Sequence, residues 1–471
     1  MKSSVILLSL SLFLPILADS NHAPINLSTT ASTIGSASLS TLNLPITSKE
    51  EFGVGTFYRS PKNEEQKLIN QGYSALNVFH YVDAYRSFKT AYTLNPSSSM
   101  ALVGMNFSVL TQDTSDGAAQ LASSSINGVE KIKEHSQLTQ KEEAWFNFAK
   151  AFYLLKIGND RHLNSKDSIS LSQAFQNLMA IDGENLEAKT FIHWILLNSQ
   201  NVEYIKGVLE GVVAIEPAHA GAQHYLLHIA EMFDDIPLAQ SYGQSLIKLA
   251  TGSAHAQHMF GHTLPQSGRW QEALDQFIIA DDIHKNWASK NGVKISEDWH
   301  YAHNLDLMAA TYLGLEDYTN ALKNWSIAMN LDARAIKKMI GLSLALNQLE
   351  QAGQVLTQIE AIAPQYKDFV KDLRAEHTYL TSKKVPAQFA QGELGVLIRK
   401  VFASNANSQQ VLLSNELEAY FVGVFSSGGF DGWSNGFVEL MRVQNIAKTK
   451  NLNILSKSLE NLIVKAREGS I

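Results

Sequence analysis

Histidine is concentrated in one part of this sequence. Of the 15 histidines in the chain, nine lie within 85 residues, at positions 219, 224, 228, 255, 258, 262, 284, 300 and 303. An imidazole ring is a hydrogen-bonding group and also a common ligand of divalent transition metals. The densest stretch is SAHAQHMFGH, from Ser253 to His262, and its spacing decides whether these residues form a site or only pack.

The spacings within this region are those of single helical faces. Two groups each fall within an arc of about 60° on a helix: His255, His258 and His262 in one, and His224, His228 and Glu231 in the other. Two imidazoles four residues apart on a helix can bind one divalent ion, with a neighbouring helix giving a third ligand. We therefore predict a zinc or copper site formed by a subset of six histidines: His224, His228, His255, His258, His262 and His303.

Polar residues near these histidines complete the candidate site. Glu231 and Asp306 are possible carboxylate ligands, and in a metal-dependent hydrolase either would be the base that activates metal-bound water. His219, His300 and Asn304 belong to the same region of the chain. We predict that these five residues line a ligand-binding groove.

The same residues also permit interpretations without a metal. Imidazoles in a polar groove can hydrogen-bond to one another, to backbone carbonyls and to water, or can bind an anionic or peptide ligand. The sequence leaves open whether the chain is an enzyme, because catalysis by a metal needs an open coordination position and a substrate pocket. No serine lies in a recognisable nucleophile motif.

The segment LINQGYSALNVFHYVDAYRSFKTAYTLNP, residues 68–96, indicates the elements that would position such a site. It places small residues at Gly72, Ala84 and Ala91, a ring at Phe88 and a proline at Pro96. Small residues let two antiparallel helices approach closely, the ring fills the space between them, and the proline ends the second helix. This pattern resembles the tetratricopeptide repeat, whose period is about 34 residues.

The pattern recurs along the chain. The same positions are occupied by Gly261, Ala273 and Phe277 in a second unit and by Ala309, Ala321 and Trp325 in a third. We predict an all-α, tetratricopeptide-type helical solenoid, a right-handed superhelix of helix-turn-helix repeats, over residues 61–386. Residues 387–471, with the glycine-rich stretch SSGGFDGWSNG, are predicted to form irregular closing helices.

The resemblance has implications for the histidines. In the tetratricopeptide family, the first helix of each repeat presents its ligand-binding positions to a concave groove, and the histidines occupy those positions here. Three segments, PAHAGAQHYLLHIAE, HAQHMFGHTLPQSGRWQEAL and HYAHNLD, resemble in order and spacing a histidine-rich branch of bacterial tetratricopeptide proteins of unassigned activity. The resemblance implies a protein or peptide partner in the groove, and stacked repeats would bring His224 beside His258.

The insertion HKNWASKNGVKISEDW, residues 284–299, makes the second and third repeats start farther apart in sequence than one repeat period. Its place between two repeats predicts a loop over the mouth of the groove or on the surface. Trp287 and Trp299 would then be carried by that loop.

The terminal residues and the composition of the chain indicate its location and exclude some classes of partner. Residues 1–20 match an export signal, and residues 21–60 form a Ser/Thr-rich flexible lead-in, so we expect a periplasmic or secreted protein. The net charge of −7 and the lack of a Lys/Arg run argue against nucleic acid as partner. The absence of cysteine excludes thiolate zinc sites, and no apolar run is long enough to predict a membrane span.

Overall fold

The computed structural model describes residues 52–111, 116–157, 170–295, 299–332, 334–362, 370–385, 392–427 and 429–469. Within these ranges every regular element is a helix, and no strand occurs. The predicted signal peptide and residues 21–51 of the predicted lead-in lie outside the described residues.

The chain divides into two compact units. The N-terminal unit contains the described residues of Thr30–Phe260 and Asp282–Glu297, and the C-terminal unit contains those of Gly261–Asp281 and Asp298–Ile471. The division falls inside two helices, α11 and α12, whose bounds are given below.

Helices α1–α12 include all those of the N-terminal unit. Their bounds are α1 Glu64–Asn77, α2 Tyr81–Leu94, α3 Ser99–Leu110, α4 Asp116–His135, α5 Gln140–Ile157, α6 Leu171–Asp182, α7 His193–Ile195, α8 Val202–Ile215, α9 Ala220–Met232, α10 Ile236–Leu249, α11 Ala254–Thr263 and α12 Trp270–Asn291. A short π-helix, Ala188–Ile192, leads directly into α7.

The remaining helices belong to the C-terminal unit. They are α13 Trp299–Gly314, α14 Tyr318–Ala328, α15 Arg334–Ala345, α16 Leu349–Ile362, α17 Lys371–Ser382, α18 Gly392–Ala403, α19 Asn407–Ser427, α20 Gly429–Thr449 and α21 Asn453–Glu468. Within each unit, helices that follow one another in sequence pack together in pairs such as α1 with α2 and α13 with α14.

Packing of the first pair shows why the repeat pattern folds in this way. The ring of Phe88 is fully buried between α1 and α3. A Cβ atom on Gly72 would lie 2.5 Å from this ring, and one on Gly104 would lie 2.3 Å from it. Both distances are shorter than van der Waals contact, so the aromatic ring fits only because both neighbouring positions are glycine.

The same relationship recurs in the C-terminal unit. A Cβ atom on Gly261 would lie 3.1 Å from the ring of Phe277, and the Trp325 ring is fully buried with Ala309 and Ala321. These helix pairs confirm the all-α, tetratricopeptide-type solenoid class predicted from the sequence.

Six helix hairpins in the described ranges share one turn. In each, a residue one or two positions after the helix end has a left-handed backbone, with φ between 57° and 68°: Phe79, Asp234, Gly268, Glu316, Asn347 and Asn451. In the first hairpin the N–H of Phe79 donates to Leu76 at 3.1 Å and the N–H of His80 donates to Ala75 at 2.8 Å. These two bonds define a Schellman motif, which satisfies the last carbonyls of the helix. Phenylalanine is the unusual member, because a bulky side chain disfavours this conformation.

The insertion between the repeats was predicted as a loop, and most of it is helical instead. Helix α12 continues to Asn291. Within the N-terminal unit, Nε1 of Trp287 donates to Asp83 at 2.7 Å, and the buried Arg86 donates to Asn291 at 2.6 Å. These contacts with a distant helix, α2, explain why the inserted residues extend α12.

The described residues of 387–471 form the four helices α18–α21. One helix ends and the next begins within the glycine-rich stretch: α19 ends at Ser427, and α20 begins at Gly429, which has φ 53°. Trp433 of this stretch is buried, and its Nε1 donates to the Ala466 carbonyl at 2.9 Å. None of the helices in the described ranges has the length and apolar character needed to cross a membrane.

Candidate metal centre

Helices α9 and α11 of the N-terminal unit bring three predicted histidines together. His224 and His228 lie one turn apart on α9, and His255 lies in the first turn of α11. Both helix starts are fixed by side-chain caps, since the Ala222 N–H donates to Nδ1 of His219 at 3.2 Å and the Ala256 N–H donates to Oγ of Ser253 at 3.1 Å. We call His224, His228 and His255 the histidine triad.

The ligand atoms of the histidine triad converge. Nε2 of His224 lies 3.0 Å from Nε2 of His255 and 3.0 Å from Nε2 of His228. One ligand nitrogen from each ring can be chosen so that all three lie within 4.8 Å of one another. Nitrogen ligands bound at 2.0–2.1 Å to a tetrahedral zinc ion are about 3.3 Å apart, so each of the two 3.0 Å separations would lengthen by a few tenths of an ångström around an ion.

Burial and hydrogen bonding set the protonation state of His224. The ring is fully buried, and its Nδ1 lies 2.6 Å from the backbone carbonyl of Asn77. A carbonyl only accepts, so Nδ1 carries the proton and the lone pair of the neutral ring lies on Nε2. Burial lowers the pKa of His224 to about 4, although the bond to Asn77 acts in the opposite direction. The ring is therefore neutral at pH 7, the form that binds metals.

Aromatic rings cover the triad. The ring centroid of Phe79 lies 4.6 Å from that of His224 and 4.8 Å from that of His255, and Trp194 stacks on His228 at 5.4 Å. Because Phe79 is held at φ 61°, its position over the triad costs backbone energy, about 1 kcal/mol for an L-residue. Residues held in strained conformations cluster at functional sites.

A buried carboxylate lies behind the triad. Glu187 is fully buried and accepts hydrogen bonds from Thr56 and from Nδ2 of Asn77, each at 2.7 Å. Nε2 of His219 lies 3.5 Å from the same carboxylate. Burial raises the pKa of Glu187, but His219 and the hydrogen bonds outweigh burial and leave this pKa below its usual value. Glu187 therefore fixes the side chain of the residue whose carbonyl orients His224.

Local structure reinforces this arrangement. Glu187 immediately precedes the π-helix, an element found often at functional sites. Trp194, in α7 just beyond the π-helix, stacks on Tyr225 with ring centroids 4.4 Å apart and planes 2° from parallel. The Tyr225 hydroxyl donates to Oδ1 of Asn77 at 3.1 Å. Asn77 is thus held through both of its side-chain polar atoms.

The remaining N-terminal candidates lie near the triad. Oε2 of Glu231 is 3.9 Å from Nδ1 of His228, which places a carboxylate behind a candidate ligand as in many metal sites. His258 stacks on His255 with ring centroids 5.9 Å apart. The neighbour of His224 on α11 is His255, one turn earlier than the expected His258.

The other predicted residues belong to the C-terminal unit. His262 and His303 lie together with Asp431, their ligand atoms within 4.8 Å of one another. Asp306 accepts from Trp325 at 2.6 Å and from Lys338 at 2.7 Å, which occupies both carboxylate oxygens. Asn304 donates to the carbonyl of Phe277 at 2.9 Å.

His300 occupies a different kind of position. It lies in the first turn of α13 and is partly exposed. The structure thus divides the predicted residues between the two units, and no single group contains all of them.

Four residues that complete these sites were missed by the sequence analysis: Asn77, Phe79, Glu187 and Asp431. Asn77, Phe79 and Asp431 lie more than 100 residues from the histidines they contact, and Glu187 lies on a different element from His219, so helical spacing carries no information about them. Phe79 had the one local signal, a large aromatic residue at the hairpin position that elsewhere holds Asp, Glu, Asn or Gly.

No protein-family model matches the chain, and no curated protein matches it. The solved structures similar to this chain at low identity include two Rap proteins and IFIT1. A Rap protein complexed with competence and sporulation factor is 11% identical, with 87% of this chain and 98% of that chain covered and a TM-score of 0.39.

The other two structures are similarly distant. The apo form of RapI is 14% identical, with 86% and 98% of the two chains covered and a TM-score of 0.35. A monomeric mutant of IFIT1 with Gppp-AAAA is 8% identical, with 87% and 82% covered and a TM-score of 0.35. At these scores the similarity supports no statement about function.

Proposed function

We propose that this chain is a helical-repeat protein that binds one divalent transition metal, zinc or copper, at the histidine triad. The observation that carries the proposal is the convergence of three buried imidazole nitrogens, with Nε2 of His224 3.0 Å from those of both other rings. Only one N–H can point at the single lone pair of a neutral imidazole, so this contact set suits a shared cation better than mutual hydrogen bonding. Imidazole ligands suit zinc and copper.

The groups around the triad are of the kind that usually orient metal-binding histidines. Metal-bound histidines usually donate their other N–H to a backbone carbonyl or a carboxylate. His224 donates to the carbonyl of Asn77, and Glu231 lies 3.9 Å from His228. Neutral His224 would also bind a metal without first releasing a proton at pH 7.

Burial of the triad favours a carrier or structural metal over a hydrolase. The three histidines are each at most 8% exposed, with Phe79 and Trp194 packed against them. A catalytic zinc keeps a coordination position open to substrate. A hydrolytic role would therefore need these rings to move, whereas storage or structural binding would not.

A wider role as a scaffold accompanies the metal in this proposal. The tetratricopeptide-type helix pairs support binding of a protein or peptide partner along the first helices of the repeats.

Export to the periplasm or outside the cell is proposed from residues 1–20 alone. Fractionation of cells that express the full chain tests the location, and recovery of partners from envelope extracts with and without a chelator tests whether binding depends on the metal.

Bound metal is measured directly on the full chain, purified without a polyhistidine tag and dialysed against zinc or copper. Elemental mass spectrometry should show that His228→Ala and His255→Ala each lose one equivalent relative to wild type. His135→Ala is a matched control, because His135 is exposed at the end of α4 in the same unit. Equal metal content in wild type and both triad variants would refute the proposal. Ester hydrolysis abolished by chelation would instead assign an enzyme.

A further inference from the structure

A second group of ligand atoms meets within the C-terminal unit. His262 comes from the last turn of α11, His303 from α13 and Asp431 from the first turn of α20. Their candidate ligand atoms all lie within 4.8 Å of one another. His303 is buried, and His262 and Asp431 are partly exposed.

Packing of the surrounding helices holds these three residues in place. The side chain of Asn304, next to His303, donates to the carbonyl of Phe277 and so ties α13 to α12. Phe430, next to Asp431, is buried and stacks on the Phe277 ring at 6.3 Å. The ring of His262 meets the Phe430 ring edge to face at 6.0 Å. Anchors adjacent in sequence to the candidate ligands therefore fix the geometry of the group.

Two cationic side chains, Lys338 and Arg334, act on Asp431, and each is paired with another carboxylate. Nζ of Lys338 is 2.7 Å from Asp306 and 3.9 Å from Asp431. The buried ammonium group is thus neutralised chiefly by Asp306, and its contact with Asp431 is at the limit of an ion pair. A metal at Asp431 would replace this weak contact and leave the stronger ion pair intact.

We propose that His262, His303 and Asp431 form a second divalent-metal site, independent of the histidine triad. Two imidazoles and one carboxylate bind zinc in several enzymes and iron(II) in others, and they leave coordination positions open to water or to a ligand. A carboxylate also favours manganese(II), which imidazole-only sites bind weakly. The two sites therefore differ in chemistry: the triad is buried and all nitrogen, and this site is partly exposed and mixed.

Manganese(II) is the probe that separates the two sites. Electron paramagnetic resonance of the free ion during titration of the metal-free full chain should show one bound equivalent for wild type. Asp431→Asn and His303→Ala should weaken binding at least tenfold, whereas His255→Ala should bind manganese as wild type does. Asp317→Asn is the matched carboxylate control, because asparagine also caps a helix well and Asp317 caps α14 through Asn320.

Zinc stoichiometry gives the second measurement. We expect two zinc ions per wild-type chain and one in either Asp431→Asn or His255→Ala. One zinc in wild type that is lost only in His255→Ala would overturn this inference and leave the proposed function standing. One zinc in wild type that is lost only in Asp431→Asn would overturn the proposed function and leave this inference standing.

The variant Asp431→Glu distinguishes loss of a metal ligand from misfolding, because it keeps the carboxylate and its charge and displaces the ligand atom by one methylene. Recovery of part of the manganese binding in Asp431→Glu, relative to Asp431→Asn, supports ligation. Wild-type manganese affinity in both Asp431→Asn and His303→Ala would overturn the inference.

Discussion

Nδ1 of His224 donates a hydrogen bond to the backbone carbonyl of Asn77, at 2.6 Å, across 147 residues of sequence. The bond fixes the tautomer of a fully buried ring and directs its lone pair at two other imidazoles. The turn that ends α1 therefore determines the chemistry of a histidine on α9. Four predictions follow from this relationship and from the groups around it.

Acid should destabilise the N-terminal unit through His224. The unfolded chain binds a proton at this ring near pH 6.5 and the folded chain only near pH 4. Between these values the unfolded state holds more protons, so the free energy of unfolding falls as the pH falls. The stabilisation is complete above pH 6.5, and about 3 kcal/mol is lost on reaching pH 4.

The variant His224→Asn tests this pH dependence. Its side-chain amide can still donate to the carbonyl of Asn77 but does not titrate in this range. Hydrogen exchange of peptides from α9, measured in the absence of metal from pH 7 to 4.5, should show a shallower loss of stability in the variant. Identical pH profiles for the two proteins would contradict the lowered pKa of His224.

Zinc should stabilise the folded chain through the triad. A ligand that binds only the folded state adds about 2.7 kcal/mol at a free concentration one hundred times its dissociation constant. Thermal unfolding of wild type and His135→Ala should shift upward with buffered zinc, and that of His255→Ala should shift less. An equal shift in all three proteins would assign the zinc effect to other residues.

Phe79→Asn should relax the turn and uncover the triad. Asparagine adopts the left-handed conformation more readily than phenylalanine and occupies the same turn position at Asn347 and Asn451. We expect the pKa of His224 to rise towards 6.5, and a chelator to remove zinc faster, because the ring at 4.6 Å is lost.

The reciprocal variant Asn347→Phe is the control for Phe79→Asn. It imposes the same strain of about 1 kcal/mol on a turn of the C-terminal unit, and it should leave zinc release from the triad unchanged. If Phe79→Asn changes neither zinc release nor the titration of His224, Phe79 does not shield the triad.

Glu187→Gln should lower both stability and metal affinity. The Glu187 carboxylate faces three hydrogen-bond donors, on Thr56, Asn77 and His219, and the amide of glutamine would replace one carboxylate oxygen with a further donor. Loss of a buried hydrogen bond costs about 1–3 kcal/mol. Because Asn77 is held by Glu187 at 2.7 Å, the carbonyl that orients His224 should lose its position.

Asp182→Asn is the comparison for Glu187→Gln. Asp182 is a buried carboxylate of the same unit that accepts from Trp145 and Lys141. We expect a comparable loss of stability in urea unfolding with unchanged zinc affinity in calorimetry. Weaker zinc binding in both variants would attribute the effect to general destabilisation.

Periodicity made part of this molecule predictable. The small residues around Phe88 and Phe277 predict helix pairs because close helix packing requires them at fixed intervals. His224 and His228 share a face because four residues are about one helical turn. Both inferences depend only on separations of a few residues.

The rest of the site depends on how helices far apart in sequence meet. Repeat arithmetic aligned His224 with His258, but the helices pack so that His255 is the neighbour, a difference of one turn. Asp431 joins His303 through the packing of α20, and Glu187 reaches Asn77 across 110 residues. The length of α12 was misjudged for the same reason, since Asp83 and Arg86 support its last turns.

The shared hairpin turn makes the phenylalanine ring over the proposed metal centre independent of the path of the helices. Its two backbone hydrogen bonds form with Asp, Glu, Asn, Gly or Phe at the left-handed position, so the side chain there can change without altering the path of either helix. The side chain at this turn position can therefore evolve independently of the helix packing of the repeat. At position 79, one codon therefore decides whether an aromatic ring packs against His224 and His255.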